Sequence, residues 1–478
     1  MNLALVLGNQ LHHDHPALND PSVDIIVMIE AQNLCQKIPY HKHKIIFLLS
    51  SMRHYANDVK RYGKKIIYHS VETTPHFLKA LKNTCQEEKI TKLSYMLPPD
   101  TGIQKTLEKF CFDNSMEQHI YPSQLFLTPL QDLTSWFSSH PTSTMESFYR
   151  WQRKRTGMLM DDATPIGEKW NYDHENRKPL PKNHGPIPRI SFHENDSITQ
   201  NVINTVNALF LKHPGLSENF WLPTTREHAL EWLDDFVSNR LALFGTYEDA
   251  MDANEVFLYH SVLSPLLNCG LLSAQECAEA AIHAYEINTA PLHSVEGFIR
   301  QIIGWREYMY GMYLQMGQFK SMNYFKLHKE LETWWYSTDA PEHDSLPFPV
   351  RRALERAHSY GYNHHIERLM ILGNWFLLNG YSPLSVYRWF SAMYVDAYEW
   401  VMVPNVIGMS QYADGGRVAT KPYISGGNYL KKMGRWGNRY DKDLQQFTDL
   451  YWMFLTKHYS KLKTNIRMSL VLKRIAPK

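Results

Sequence analysis

The stretch from Tyr362 to Asn405, YNHHIERLMILGNWFLLNGYSPLSVYRWFSAMYVDAYEWVMVPN, decides how the rest of the chain is read. Apolar residues at Ile366, Leu369 and Met370, then Phe376 and Leu377, recur at helical spacing. Gly380, Ser382 and Pro383 break that helix, and a second runs through Trp389 to Trp400. Set into this apolar and aromatic pattern are His364, His365, Arg368, Asn374, Asp396 and Asn405. Buried charge is costly unless paired, so Arg368 and Asp396 are expected to face each other or a shared ligand. Together they outline a ligand site between helices.

Around this stretch the chain reads as helix from about Thr224 onward. HALEWLDDFVSNRLALF, SAQECAEAAIHAYEI and SVEGFIRQIIGWREYMYGMYLQM all have amphipathic spacing. The density of Trp, Tyr and Phe there suits a helical domain that holds a flat, conjugated cofactor. Residues 129–223 are polar and rich in proline, and read as an irregular connector. The connector contains FYRWQRKRTGMLM (Phe148–Met160) and GEKWNYDHENRKPLP (Gly167–Pro181), where cations alternate with aromatics. That composition suits stacking on bases and neutralising phosphates.

Residues 1–128 alternate β-rich and helical runs. Strands are expected at Leu3–Leu7, Asp24–Ile29, Lys44–Leu49, Lys65–His69 and Lys92–Met96, with helices including Met52–Tyr62 and Thr74–Lys82. Strands separated by helices predict a doubly wound parallel sheet, so the fold class is α/β plus all-α. LGNQL after the first strand offers one glycine and neither GxGxxG nor GxxxxGK[ST], which disfavours a phosphate-binding loop of those kinds.

At 478 residues, 44% hydrophobic and 21% charged, the chain is expected to form two or three globular domains. No window approaches the roughly 20 apolar residues of a membrane span. The N-terminus lacks a basic leader and a cleavage site, so a cytoplasmic protein without membrane contact is expected. Cys35, Cys85, Cys111, Cys269 and Cys277 form no CxxC pair, which argues against disulfides and cluster spacing alike. Residues 401–478 carry fourteen lysines and arginines against four aspartates and no glutamate. Such a segment is expected to face a polyanion.

These motifs resemble the photolyase/cryptochrome superfamily, and more closely its bacterial 6-4 photolyase branch, whose members carry an iron–sulfur cluster. The resemblance runs nearly the full length. It rests on LGNQL, HKIIFLLSSMRHYA, FYRWQRKRTGMLM, WNYDHENRKPL, FGTYEDAM, HSVLSPLLNCGLL, EGFIRQIIGWREYM, the opening stretch and ADGGRVATKPYISGG (Ala413–Gly427). It implies a C-terminal helical domain that binds FAD. Phe244, Gly245 and Tyr247 would open the flavin site. His260, Ser261, Leu263 and Ser264 would serve the pyrophosphate. Glu296, Arg300, Trp305 and Arg306 would line the flavin and adenine side. Arg368 and Asp396 resemble the ion pair beside the isoalloxazine ring, Asn374 joins the cofactor set, and Asn405 resembles the residue near flavin N5.

The chain departs from that branch at two places. Val350, Trp436, Asn438 and Gln445 stand around the positions of the four cluster cysteines, so no [4Fe–4S] cluster is expected and packing by Trp436 would replace its cross-link. Leu34 and Lys37 stand where a Glu and a Tyr would hold a ribityl-lumazine, which leaves the antenna open between lumazine, another chromophore and none.

The resemblance further implies light-driven repair of UV-damaged DNA by reduced FAD, acting on a lesion flipped out of the duplex. His365, beside His364, resembles the histidine that donates a proton to a 6-4 photoproduct; an imidazole can do so near neutral pH. Trp389 would begin an electron path to the flavin, continued by Trp335 or Tyr336, with Phe390 where a Tyr is common. Lys421 and Tyr423 would touch the lesion, Arg153, Lys154 and Arg177 would hold phosphates, and Asp173 and Asp249 could offer carboxylates to a divalent cation such as Mg. A monomeric 6-4 photolyase is the expectation; a cyclobutane-dimer photolyase and a cryptochrome-like light sensor are the alternatives.

Overall fold

The computed structural model describes residues 1–60, 63–142 and 144–475. Five strands form one parallel sheet: β1 (Asn2–Leu5), β2 (Ile25–Ile29), β3 (Lys65–His69), β4 (Lys92–Met96) and β5 (Glu117–Tyr121). Their order is β3-β2-β1-β4-β5, so the chain winds outward in both directions from β1. β1 and β2 are buried at every position, as central strands covered on both faces must be. Leu3, Leu5, Val27, Leu93 and Tyr95 pack with Leu81 and Leu107 of helices Phe77–Glu87 and Thr101–Asp113 on one side. Ala4, Ile26 and Met28 pack with Ile46 and Phe47 on the other, in a core that continues into the helical half.

That last contact corrects one expectation. Lys44–Leu49 is not a strand but the start of helix Lys42–Val59, whose first turn is capped by the His41 ring accepting from His43 N. Ile45, Ile46, Phe47 and Leu49 are all buried because the helix lies between the sheet and the helical half. A helix covered all round loses its apolar stripe, and a short apolar run then looks the same in either state. The expected helix Met52–Tyr62 is the second half of this one, with Arg61 and Tyr62 outside the described residues. β5 went unread because EQHIY is an exposed, polar edge strand. The single glycine of LGNQL has a packing role: a Cβ on Gly8 would sit 2.8 Å from Met52 Sδ.

The connector is less irregular than its composition suggests. It holds helices Leu130–Ser139, Met145–Thr156 and Ser197–Leu209, and the middle one has a Thr144–Ser147 capping box and ends on Gly157 at φ 73°. The remaining chain is mainly helical, with one short strand pair, Met251–Asp252 beside Gly434–Arg435. Hydrogen bonds fix it to the sheet domain: Lys44 Nζ donates to Ser391 O and Ala397 O, and His41 Nε2 lies 2.8 Å from His358 O. Trp400 N also donates to Asp100 Oδ1 at 2.9 Å. Among the described residues no helix is long and apolar enough to cross a membrane.

Candidate functional site

Three helices of the C-terminal half widen into π-helical turns, at Arg300–Trp305, Glu367–Gly373 and Val403–Ser410. Each carries residues singled out above: Arg300 and Trp305, Arg368, and Asn405. A π turn inserts a residue into the helix at some cost in hydrogen bonding, and such turns gather at functional sites. Two of them pack closely, because Gly373 has no side chain; a Cβ there would lie 2.2 Å from Ser410 Oγ.

Arg368 and Asp396 meet as expected, with Nη1 2.9 Å from Oδ1. Around them is a network that fixes both. Arg368 Nε donates to Asn363 O at 2.7 Å, and its guanidinium lies 4.0 Å from the Tyr394 ring centroid. Asp396 Oδ2 accepts from Ser264 Oγ at 2.6 Å, and Asp396 O accepts from Asn268 Nδ2 at 2.8 Å. Tyr394 OH donates to Asn363 Oδ1, Asn363 Nδ2 donates to Glu367 Oε2, and Glu367 pairs with buried Arg356. Asn268, Asn363, Glu367, Arg356 and Tyr394 were not read from the sequence. Two spacings could have found some of them: Ser264/Asn268 and Asn363/Glu367 are four apart, on one helical face each.

The other expected cofactor residues divide. Phe244 is buried with its ring against His260 and Phe298, and Tyr247 packs near Tyr259. In the segment His260–Ser264, Val262 has φ 57°, a conformation β-branched residues rarely adopt and which persists where the surroundings hold it for a purpose. Leu263 is buried and Ser261 half-buried. Glu296 is buried; burial raises its carboxyl to about 7, against the lowering effect of Arg300, Tyr149 and Arg153. Arg300 pairs with Glu146 at 2.9 Å and Asp173 at 3.5 Å. Asn405 Nδ2 donates to Val401 O at 2.8 Å.

Three residues of that set, and one expected at the phosphates, are used inside the protein instead. Gly245 gives a close approach: a Cβ would meet Asn176 Oδ1 at 2.6 Å and Ser294 Cα at 2.8 Å. Asn374 is buried and clamps the loop after the KPY motif, donating to Ser425 O and accepting from Ser425 N. Arg306 is held by Asn268 Oδ1, Leu125 O and Leu267 O, so it reaches Asp396 only through Asn268. Arg153 is 0% exposed, with its guanidinium on Met158 O and Leu159 O, and cannot reach a phosphate. Lys154 beside it is exposed over Trp170, at the edge of a groove of about 540 Å³ that Arg150 and Trp151 also line.

Next to this network three histidines gather. His260 and His364 are parallel at 4.6 Å, and His365 meets His260 edge-on at 5.4 Å. Burial holds His260 and His364 well below the ordinary imidazole range, so both are neutral. His365 differs: its side chain is 55% exposed, with Nε2 3.4 Å from Asp249 Oδ1. Arg177, at φ 60°, joins Glu248 at 3.0 Å to Asp173 at 3.2 Å. Tyr423 belongs to the same group: burial raises its phenol, and the charges of Arg177, Arg467, Asp249 and Asp173 act on it. Lys421 is exposed two residues away. Asp173 and Asp249 do not form an open cation site. Asp173 is occupied by Arg177 and Arg300, Asp249 faces His365, and neither joins a group of three potential metal ligands among the described residues.

Trp389 is buried, with its ring 6.4 Å from Trp335 and its Nε1 donating to Trp335 O at 2.9 Å. Trp335 stacks on half-buried Trp334 at 4.3 Å, so the aromatic path turns to Trp334 rather than Tyr336. At the positions expected to lack cysteine, Val350 and Trp436 are buried, and Phe348 stacks on Tyr440 at 3.7 Å and meets Trp436 edge-on. Asn438 and Gln445 are exposed, as are Leu34 and Lys37 in the sheet domain.

The chemistry of the donors fits a large polar and aromatic cofactor. Arg300 Nε, His260 Nε2 and both ring nitrogens of His364 are buried without a hydrogen-bond partner, which is costly unless a ligand supplies one. The chain is similar to known proteins along nearly its whole length. Residues 4–222 match the family of deoxyribodipyrimidine photo-lyase-related proteins. Over 98% of this chain and 94% of the relative, the sequence is 37% identical to the (6-4) photolyase of Agrobacterium fabrum. The fold is similar to that of a bacterial class III photolyase from Agrobacterium tumefaciens, over 95% of this chain and 97% of that one, with TM-score 0.56 and 14% identity. It is also similar to that of a Synechocystis cryptochrome, over 97% of this chain and 89% of that one, with TM-score 0.58 and 15% identity.

Proposed function

The chain belongs to the photolyase-related family, and from that membership we propose that it is a DNA-repair lyase that uses FAD and light to reverse 6-4 photoproducts. When bound, reduced FAD supplies on illumination the electron that opens the lesion, and takes it back. This chain's residues do the rest. Phe244, the His260–Ser264 segment, Glu296 and Arg300 bind the cofactor, and the Arg368–Asp396 pair, held by Ser264, Asn268 and Tyr394, orients its ring. Asn405 stands on the third π turn, beside that pair's helices. The aromatic path Trp389–Trp335–Trp334 leads electrons from the surface toward the ring.

The observation that carries the 6-4 reading is the position of His365. Of the three neighbouring histidines it alone reaches solvent, and so a flipped base, while its Nε2 is turned to Asp249. With Nε2 facing Asp249 Oδ1 at 3.4 Å, the imidazolium keeps its Nδ1 proton for the oxygen that must migrate in a 6-4 lesion. Lys421, Tyr423 and Lys154 meet the damaged strand, and the basic C-terminal segment neutralises its phosphates. Arg177, engaged by Glu248 and Asp173, orders the pocket wall.

The test is to illuminate the reduced protein with oligonucleotides bearing one defined lesion and follow lesion loss. Loss of the 6-4 lesion alone, abolished in His365→Ala at unchanged flavin content, is expected. Repair of cyclobutane dimers instead, or of neither lesion, overturns the assignment.

A further inference from the structure

Beside the aromatic path, two buried rings share one carboxylate oxygen. Glu332 Oε2 accepts from Trp335 Nε1 at 3.2 Å and from Tyr381 OH at 2.9 Å. Trp335 is 0% and Tyr381 3% exposed, and their rings stand at right angles with centroids 6.3 Å apart. Lys329 completes the group, donating to Tyr381 OH at 2.8 Å and pairing with Glu332 Oε1 at 3.2 Å. A buried phenol needs a hydrogen-bond partner, and any acceptor would serve. That need gives no reason for a carboxylate that also holds the indole of the electron path. We propose that Tyr381 is redox-active, giving an electron to oxidised Trp335 as its phenol proton passes to Glu332.

The inference rests on the cofactor reading above, since the one-electron oxidant at the head of the path is a photoexcited, oxidised flavin. Oxidation leaves Trp335 as an indole radical cation. One electron then passes from Tyr381 to that ring, the phenol O–H bond breaks, and the proton lands on Glu332 Oε2. The products balance: a neutral indole, a neutral tyrosyl radical and a protonated carboxyl. A soluble thiol later supplies the electron that restores the phenol, as Glu332 returns the proton.

Each half of that step has its geometry. The 2.9 Å between Tyr381 OH and Glu332 Oε2 is within the reach of proton transfer between a positioned acid and base. Against the effect of burial, hydrogen bonds from its own backbone, Tyr381 and Lys329 hold the Glu332 carboxyl below its ordinary range, so it is ionised and able to take a proton. Lys329 Nζ also lies 4.1 Å from the Tyr381 ring centroid, where its charge opposes a positive ring. A proton lost together with the electron leaves the ring neutral. Trp389 differs, because its Nε1 donates to Trp335 O, a carbonyl that cannot keep a proton. The backbone fixes the group: Lys329 and Tyr381 form a parallel bridge, Ser382 N donates to Lys329 O at 2.7 Å, and Leu331 N donates to Ser385 Oγ at 2.9 Å. Trp335 is then a fork, with Trp334 on one arm and Tyr381 on the other, and the oxidising equivalent comes to rest on Tyr381.

The test uses the full chain loaded with oxidised flavin, its flavin content measured first. The sample is illuminated without added reductant, frozen, and read by electron paramagnetic resonance beside a second sample carrying ring-deuterated tyrosine. A neutral tyrosyl radical whose signal narrows on deuteration is expected. Tyr381→Phe should leave only an indole radical, at unchanged flavin content and with unchanged repair by chemically reduced protein. In Glu332→Gln, followed by flash absorption, the tyrosyl radical should form about 100-fold more slowly, as befits loss of a positioned proton acceptor. Glu332→Asp should recover part of that rate, which a merely structural role would not predict. An indole radical alone in the parent overturns the proposal, as does a tyrosyl signal that survives Tyr381→Phe. Unchanged tyrosyl formation in Glu332→Gln overturns the role of Glu332. A chain that takes up no flavin overturns the cofactor reading and this inference with it, a failure visible before any radical is sought.

Discussion

The Arg368 guanidinium rests on Tyr394, donates to Asn363 O and reaches Asp396, so removing it strands a nearly buried carboxylate. Breaking such a pair from one side costs about 3–5 kcal/mol. Arg368→Ala is therefore expected to lower the unfolding free energy from urea titration by an amount of that order and to release flavin, whereas a change to exposed Lys431 does neither. Glu296 gives a pH signature. Its folded pKa of about 7 lies above the ordinary 4.5, because burial favours the neutral acid. The stability tied to it is full below pH 4.5 and is lost as pH rises through about 7. In the flavin-free chain, the melting temperature of Glu296→Gln relative to the parent should climb across that window and level off above it. A flat difference contradicts the buried, neutral carboxyl. At this scale the sequence showed residue types well: a charge pair 28 apart in apolar surroundings announced itself. It could not show that Asn374, Arg306 and Arg153 are spent on backbone carbonyls and amides, because such partners leave no mark in residue identity.

The elements show the same limit in another form. Parallel strands with apolar runs were legible because β1 and β2 are buried on both faces. Helix Lys42–Val59 was not, because burial all round removes the period that distinguishes helix from strand. Nothing in local propensity marks a π turn, yet three of them carry Arg300, Trp305, Arg368 and Asn405, which the proposal assigns to the cofactor; Gly373 was the nearest clue, a glycine inside a helix where a close approach needs it. The aromatic path is an element-scale device as well, joining Thr333–Tyr336 to Pro383–Met393. Trp335→Phe should slow photoreduction of bound flavin while leaving repair by chemically reduced protein unchanged. Loss of both would mean that Trp335 holds the fold rather than the path.

Across the whole molecule, the sheet domain acts on the site through its joints. Lys44, His41 and Asp100 tie the sheet side to Ser391, Ala397, His358 and Trp400, on either side of Asp396. The basic residues of the C-terminal segment lie at the surface, with Lys421, Arg439, Lys463, Arg467 and Lys473 exposed. Beside Val350 and Trp436, where no cluster cysteine was expected, Phe348 stacks on Tyr440 and meets Trp436 edge-on. At the centre of the proposed site stands Arg368 with Asp396, the arginine carried on the π turn Glu367–Gly373. The most direct measurement is the flavin-to-protein ratio of the chain purified in the dark, taken from its absorption spectrum. One FAD per chain, lost in Arg368→Ala, is the predicted result. A colourless protein that refuses added FAD would contradict the account at its centre.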